Sequence, residues 1–126
     1  MKVTVDVARE YFAHKSQQLM MVPEDLPEDG LEYWADGPIC GVFHRAPWPG
    51  VWMAHYGVKP EGWGNLAPHA RKVLNAFWDA VEPIRIIGWT EKTNRQAISF
   101  ARRIGFVVDG EFPTPNGGIV MQGWVK

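Results

Sequence analysis

The chain has almost no cysteine, no long apolar run and no charge excess of either sign. Cys40 is the only thiol in 126 residues, so no intramolecular disulfide framework and no cysteine-rich metal site can form. A reducing setting, the cytoplasm, is therefore expected. No stretch approaches the ~20 consecutive apolar residues that span a bilayer. Met1 to Glu10 has no cationic flank followed by an apolar segment, so no secretory signal is read there. Histidines and carboxylates nowhere share metal-ligand spacing, and no metal is expected. Net charge is −1 and the pI ≈ 6.4, which argues against a nucleic-acid or membrane partner recognised by bulk electrostatics.

Hydrophobic residues make up 46% and charged residues 21% of the chain, the balance of a soluble globular protein. Its length fits a single domain over residues 1–126. Seven tryptophans demand either a well-filled core or a ligand surface. Charge is uneven along the chain. Acidic residues collect in the loop Pro23 to Gly30, and basic ones at Lys92, Arg95, Arg102 and Arg103.

Hydrophobic periodicity predicts the order of elements. Val7, Ala8, Tyr11, Phe12 and Leu19 give an amphipathic helix over Val5 to Met21, capped by Asp6. Leu31–Ala35, Ile39–His44 and Val51–Val58 form an antiparallel meander with turns at Asp36-Gly37-Pro38 and Ala46 to Gly50. A glycine-rich loop, Glu61 to Pro68, leads into a helix carrying Leu66, Ala70, Val73, Leu74, Phe77 and Val81 on one stripe. Asn65 is its expected cap. Ile84–Trp89 reads as a strand buried on both faces, so strand, helix and strand make a βαβ unit. Asn94 caps a second helix that ends at Gly105, a left-handed position. Phe106–Val108, a turn or bulge at Asp109-Gly110, a loop at Thr114 to Gly118 and Ile119–Val125 close the chain as a hairpin. The fold class is α/β with a mixed sheet.

Two places carry chemistry. Gly62 and Gly64 precede a helix start, where backbone can approach a ligand closely and unpaired N–H groups favour an anion. The spacing is neither a P-loop nor a dinucleotide fingerprint. In the strand Val51–Val58, His55 is the residue whose ordinary pKa lies near neutrality, with Tyr56 its neighbour on the opposite face. Which of the two faces a site stays open. His44 and His69 read as surface or loop residues. Trp34, Trp78 and Trp124 read as core, while Trp52, Trp63 and Trp89 border the candidate site.

The stretch Thr93-Asn-Arg-Gln-Ala-Ile-Ser-Phe-Ala-Arg-Arg-Ile-Gly-Phe106, followed by Val-Val-Asp-Gly110, resembles a signature of the GNAT family of N-acetyltransferases. The matching features are Asn94, Ala97, Gly105-Phe106 and Gly110, and the preceding order of elements over roughly residues 31–126 agrees. The resemblance implies the acyl-CoA N-acyltransferase fold, with acetyl-CoA in a wedge between the strands Val51–Val58 and Ile84–Trp89. It implies that backbone groups from Tyr56 to Val58 hold the pantetheine arm. It places the pyrophosphate on Gly62, Trp63, Gly64, Asn65 and Leu66, with Trp63 stacking on the cofactor or plugging its site. It further implies Asn94 near the pantetheine and Arg102 or Arg103 near the nucleotide phosphates. His55, or a water, would be the base that deprotonates a small-molecule or peptide amine, and Tyr56 its catalytic neighbour. Homodimers are frequent in that family. The sequence departs from the pattern at three points. Glu61 stands where Arg or Gln leads the loop, Phe100 stands where many members carry an acidic tyrosine, and the N-terminal part is short. These departures carry the alternative expectation, a catalytically silent binding or assembly protein of the kind found among phage genes.

Overall fold

The computed structural model describes residues 1–17, 24, 26–27 and 29–126. The elements in chain order are β1 (Lys2–Val3), α1 (Val5–Tyr11), β2 (Leu31–Asp36), β3 (Ile39–Arg45), β4 (Val51–Val58), α2 (Ala67–Val81), β5 (Arg85–Glu91), α3 (Arg95–Arg103), β6 (Val107–Phe112) and β7 (Ile119–Trp124). Short 3₁₀ turns occur at Lys15–Gln17 and Pro60–Gly62. The strands form one sheet in the order β1-β2-β3-β4-β5-β7-β6. Every pairing is antiparallel except β4 with β5. The meander, the βαβ unit and the C-terminal hairpin expected from the sequence are all present.

The first helix is shorter than its periodicity predicts. It ends at Tyr11, and Thr4 rather than Asp6 caps it, its side chain accepting from the Val7 amide at 3.4 Å. Asp6 instead sits in the first turn and pairs with Arg9. Leu19 and the remainder of that predicted helix beyond Gln17 lie outside the described residues, as do Pro23, Asp25 and Glu28 of the acidic loop. The two-residue strand β1, pairing Lys2 with Trp34 and Val3 with Tyr33, was too short to register as an alternating pattern.

Two cores lie on opposite faces of the sheet because strand side chains alternate. One packs α2 and the start of the C-terminal hairpin against Trp34, Ile39, Phe43, Trp52, Val58 and Ile86. Its centre is Phe77, fully buried. That ring stacks on Phe43 with centroids 3.9 Å apart and meets Trp34 and Trp52 edge-on. Trp52 is thus a core ring, and one edge of it also lines a cavity on the sheet. The other core packs α1 residues Ala8, Tyr11 and Phe12 against Tyr33, Ala35, Cys40 and Val42. Burial pushes the Cys40 thiol up to about 12, which leaves it unreactive.

Two further expectations change, and a third holds. Leu66, not Asn65, is the N-cap of α2, and its side chain makes no capping bond. In β5 only Ile86 is fully buried, because β4 covers just the first part of that strand. Gly105 does take the left-handed conformation, φ 109°, and a Cβ there would stand 2.8 Å from Trp124 Nε1. The equivalent position after α2 is Glu82, at φ 53° and ψ 54°. A side chain in that region is disfavoured by about 1–2 kcal/mol. Glu82→Gly is therefore expected to raise stability by about 0.5–1 kcal/mol, read as a higher midpoint in urea with unchanged slope.

Candidate active site

The site begins where β4 leaves β5. The two strands pair in parallel only over Val51–Arg85, Trp52–Ile86 and Met53–Ile87. Beyond Met53, β4 continues along β3 as far as Val58, and β5 continues along β7 as far as Glu91. The facing edges part and open a wedge. The Lys59 amide donates to Pro38 O, on the β3 side. Strand N–H groups alternate in direction, so the Tyr56 and Val58 amides point into the wedge. They belong to the stretch Tyr56 to Val58, which the family resemblance would set against a pantetheine arm.

The loop after β4 brings a second set of donors. The amides of Gly62, Trp63 and Asn65 turn inward to Lys59, Pro60 and Gly62 carbonyls. The amides of Gly64, Leu66, Ala67 and His69 find no acceptor among the described residues. These open the fifteen-residue helix α2, whose N-terminus attracts negative charge. The donor set therefore fits an extended ligand with amides at one end and an anion at the other. Gly62 serves packing rather than ligand approach, since a Cβ there would lie 2.2 Å from Pro38 Cγ. Glu61 is exposed to solvent on this loop.

The wedge is partly filled by the chain itself. Gln17, from the turn after α1, accepts from the Val58 amide at 3.1 Å. His14 meets the exposed ring of Trp63 edge-on, with centroids 5.2 Å apart. On the far side the Tyr56 ring rests against Phe100, centroids 5.5 Å apart. Desolvation there holds the Tyr56 phenol above its ordinary range, so it keeps its proton at neutral pH. Asn94 caps α3, accepting from the Ala97 amide at 3.2 Å. Arg103 lies exposed at the end of α3, where its carbonyl accepts from Arg71.

His55 projects from the opposite face of β4 to Tyr56. Its ring lies edge-on to Trp89 and stacked beside His44, with the two Nε2 atoms 3.2 Å apart. A cavity of ≈ 670 Å³ opens here, lined in part by Leu31, Glu32, Trp52 and both histidines. His44 is the functional candidate that sequence reading missed. The signal was available: the hairpin turn pairs Arg45 with Trp52 and Val42 with His55, which puts His44 and His55 on one face as diagonal neighbours. His69 instead binds Asp36 at 2.7 Å beside the β2–β3 turn. No group of three or more metal-ligating side chains occurs among the described residues.

Burial, aided by His44, lowers His55 from 6.5 to about 4. The ring is therefore uncharged near neutrality. Between these values the unfolded chain binds a proton that the folded chain refuses, so stability is full above 6.5 and declines as pH falls towards 4. Thermal unfolding across this range is expected to show a steeper loss for the wild type than for His55→Gln. Equal slopes would show that His55 titrates normally.

No family model and no curated protein matches the sequence. Solved structures do match the fold. The ribosomal-protein-S5-alanine acetyltransferase of Vibrio fischeri superposes with a TM-score of 0.73 at 12% identity, over 99% of this chain and 91% of the other. An aminoglycoside acetyltransferase in complex with coenzyme A gives 0.72 at 14% identity, over 100% and 93%. A GNAT-family acetyltransferase of Bacillus anthracis gives 0.59 at 17% identity, over 70% of this chain and 58% of the other. The fold is that of the GNAT acetyltransferases. No helix among the described residues is long and apolar enough to cross a membrane.

Proposed function

We propose that the chain is an acetyl-CoA-dependent N-acetyltransferase acting on a primary amine. The observation that carries this reading is the wedge: strand-end amides of β4 and unpaired helix-start amides of α2 lie along one path, matching the amides and pyrophosphate of a coenzyme A ester. Tyr56, Val58, Gly64 and Leu66 would hold it, with Trp63 and Asn65 on the same loop, Gly62 shaping that loop, and Asn94, Phe100 and Arg103 on the α3 side. When bound, acetyl-CoA supplies an activated acyl thioester. His55, uncharged and half-buried, takes the proton that the acceptor amine loses. Tyr56 lies on the other face of β4 beside the Phe100 ring, its backbone N–H turned to the thioester carbonyl, and the thiolate leaves without a tyrosine acid. The small-molecule or peptide acceptor enters through the histidine cavity. A cytoplasmic location and a homodimer remain part of the proposal. The alternative, a silent assembly protein of phage type, draws no support from the named structures.

The test is an acetyl-CoA titration followed by thermal unfolding and tryptophan fluorescence. At ~100-fold over the dissociation constant, apparent stability should rise by about 2.7 kcal/mol. No shift at millimolar concentration would sink the enzyme reading. With an amine panel, His55→Ala is expected to lose about 100-fold or more in kcat, with acetyl-CoA affinity retained.

Gln17 yields a separate expectation. Its carboxamide holds the Val58 N–H that the pantetheine requires, so a coenzyme A ester must displace it. Gln17→Ala should bind acetyl-CoA several-fold more tightly than the wild type by calorimetry. Weaker binding would mean that the turn helps to build the site.

A further inference from the structure

The contacts of the two histidines favour one hydrogen-bonding order. His44 Nδ1 lies 3.4 Å from the Arg45 carbonyl oxygen, which can only accept. His44 therefore carries its proton on Nδ1. A neutral imidazole has one N–H, so His44 Nε2 is bare and must accept across the 3.2 Å contact with His55 Nε2. His55 in turn is protonated on Nε2 and bare on Nδ1, for which no hydrogen-bond partner exists among the described residues. The near-parallel stack, 12° between planes, and the edge of Trp89 hold the ring in that orientation. The ring borders the ≈ 670 Å³ cavity.

We propose that His44 is a positioning residue for acyl transfer: it fixes His55 as the Nε2–H tautomer and so leaves Nδ1 as the lone pair that receives the proton of the acceptor amine. The inference rests on the acetyltransferase reading. As the nitrogen forms its bond to the acyl carbon, its surplus proton passes to His55 Nδ1, and sulfur keeps the electron pair of the broken C–S bond. His55 is then an imidazolium whose Nε2–H still donates to His44, so the ring keeps its orientation as it takes up the proton. The carbonyl, His44 and His55 act in series, the carbonyl orienting the first ring and that ring the second.

Two measurements test this. Long-range ¹⁵N–¹H correlation spectra of the ligand-free protein at about pH 8, above the ordinary histidine range, read each tautomer directly. His55 should be protonated on Nε2 and His44 on Nδ1. In amine acetylation, His44→Phe keeps a ring but no acceptor and should lower kcat about 10- to 100-fold with KM for acetyl-CoA unchanged. His44→Gln places a carbonyl oxygen near Nε2 and should restore the His55 tautomer and most of kcat. An Nδ1–H signal for His55 in the wild type overturns the proposal, and so does wild-type turnover in His44→Phe. These outcomes leave acetyl-CoA binding intact. Absence of that binding in the wild type is the distinct failure of acetyl transfer itself, and the base role of His55 falls with it.

Discussion

Three residue pairs of parallel ladder hold β4 to β5, and the candidate site exists because the ladder stops there. Each strand is fully paired on its other side, β4 with β3 and β5 with β7, so neither can follow the other once the twist carries them apart. At the crotch, a Cβ on Gly88 would stand in ordinary contact with the Ala54 carbonyl oxygen, at 3.7 Å. Past it, the backbone polar groups on the facing edges lose their strand partners. Polar groups there need other partners, and the chain already supplies one of them, since Gln17 accepts from the Val58 amide. Strand alternation puts His55 and Tyr56 on the two faces of β4, just past the point where the ladder ends.

The aromatic stack fixes what stands at the mouth. Phe77 on α2 is clasped by Phe43, Trp34 and Trp52 from β3, β2 and β4, and deleting such a buried ring typically costs about 3–5 kcal/mol. Because those contacts lock α2 onto the sheet, its first turn is held over the end of β4. Pro68 in that turn removes one N–H and presets the backbone for helix. The remaining amides at the helix start form a donor set of fixed position rather than a loop that must be ordered by a ligand. Trp78 and Trp124 meet edge-on, and Trp124 also donates to the Ile104 carbonyl, which ties the end of α3 to β7.

Much of this was legible in the residues. The bounds of β4, the stripe of α2, the Asn94 cap and the left-handed Gly105 follow from local rules that act within a few residues, and the Asn94-to-Phe106 stretch named the fold. What stayed hidden depends on partners distant in sequence. The His44–His55 contact needs strand register, which follows only once the turn length is counted. Gln17 reaches Val58 across forty-one residues, and no local pattern announces a side chain that binds a strand edge. Asn65 was the better cap by composition, yet its amide is drawn to Gly62 O, and the helix starts two residues later at Ala67. The core role of Trp52 was missed because its alternation partners, Ala54 and Val58, are small or lie at the strand end.

Gln17 shows how the same constraint bears on ligand entry. An unsatisfied Val58 N–H would cost about 1–3 kcal/mol, and the chain meets that need with its own carboxamide. A pantetheine amide would offer the same acceptor, so exchanging one for the other leaves the hydrogen-bond count unchanged. The opposing terms are then the packing of His14 on Trp63 and whatever order the Lys15–Gln17 turn loses or keeps. On the proposed function, both would be set against the contacts that a coenzyme A ester makes along the wedge and at the helix start. A ligand that bonds at several points along the wedge would, on that same proposal, displace a segment that bonds at one, while Gln17 keeps the Val58 N–H paired in its absence.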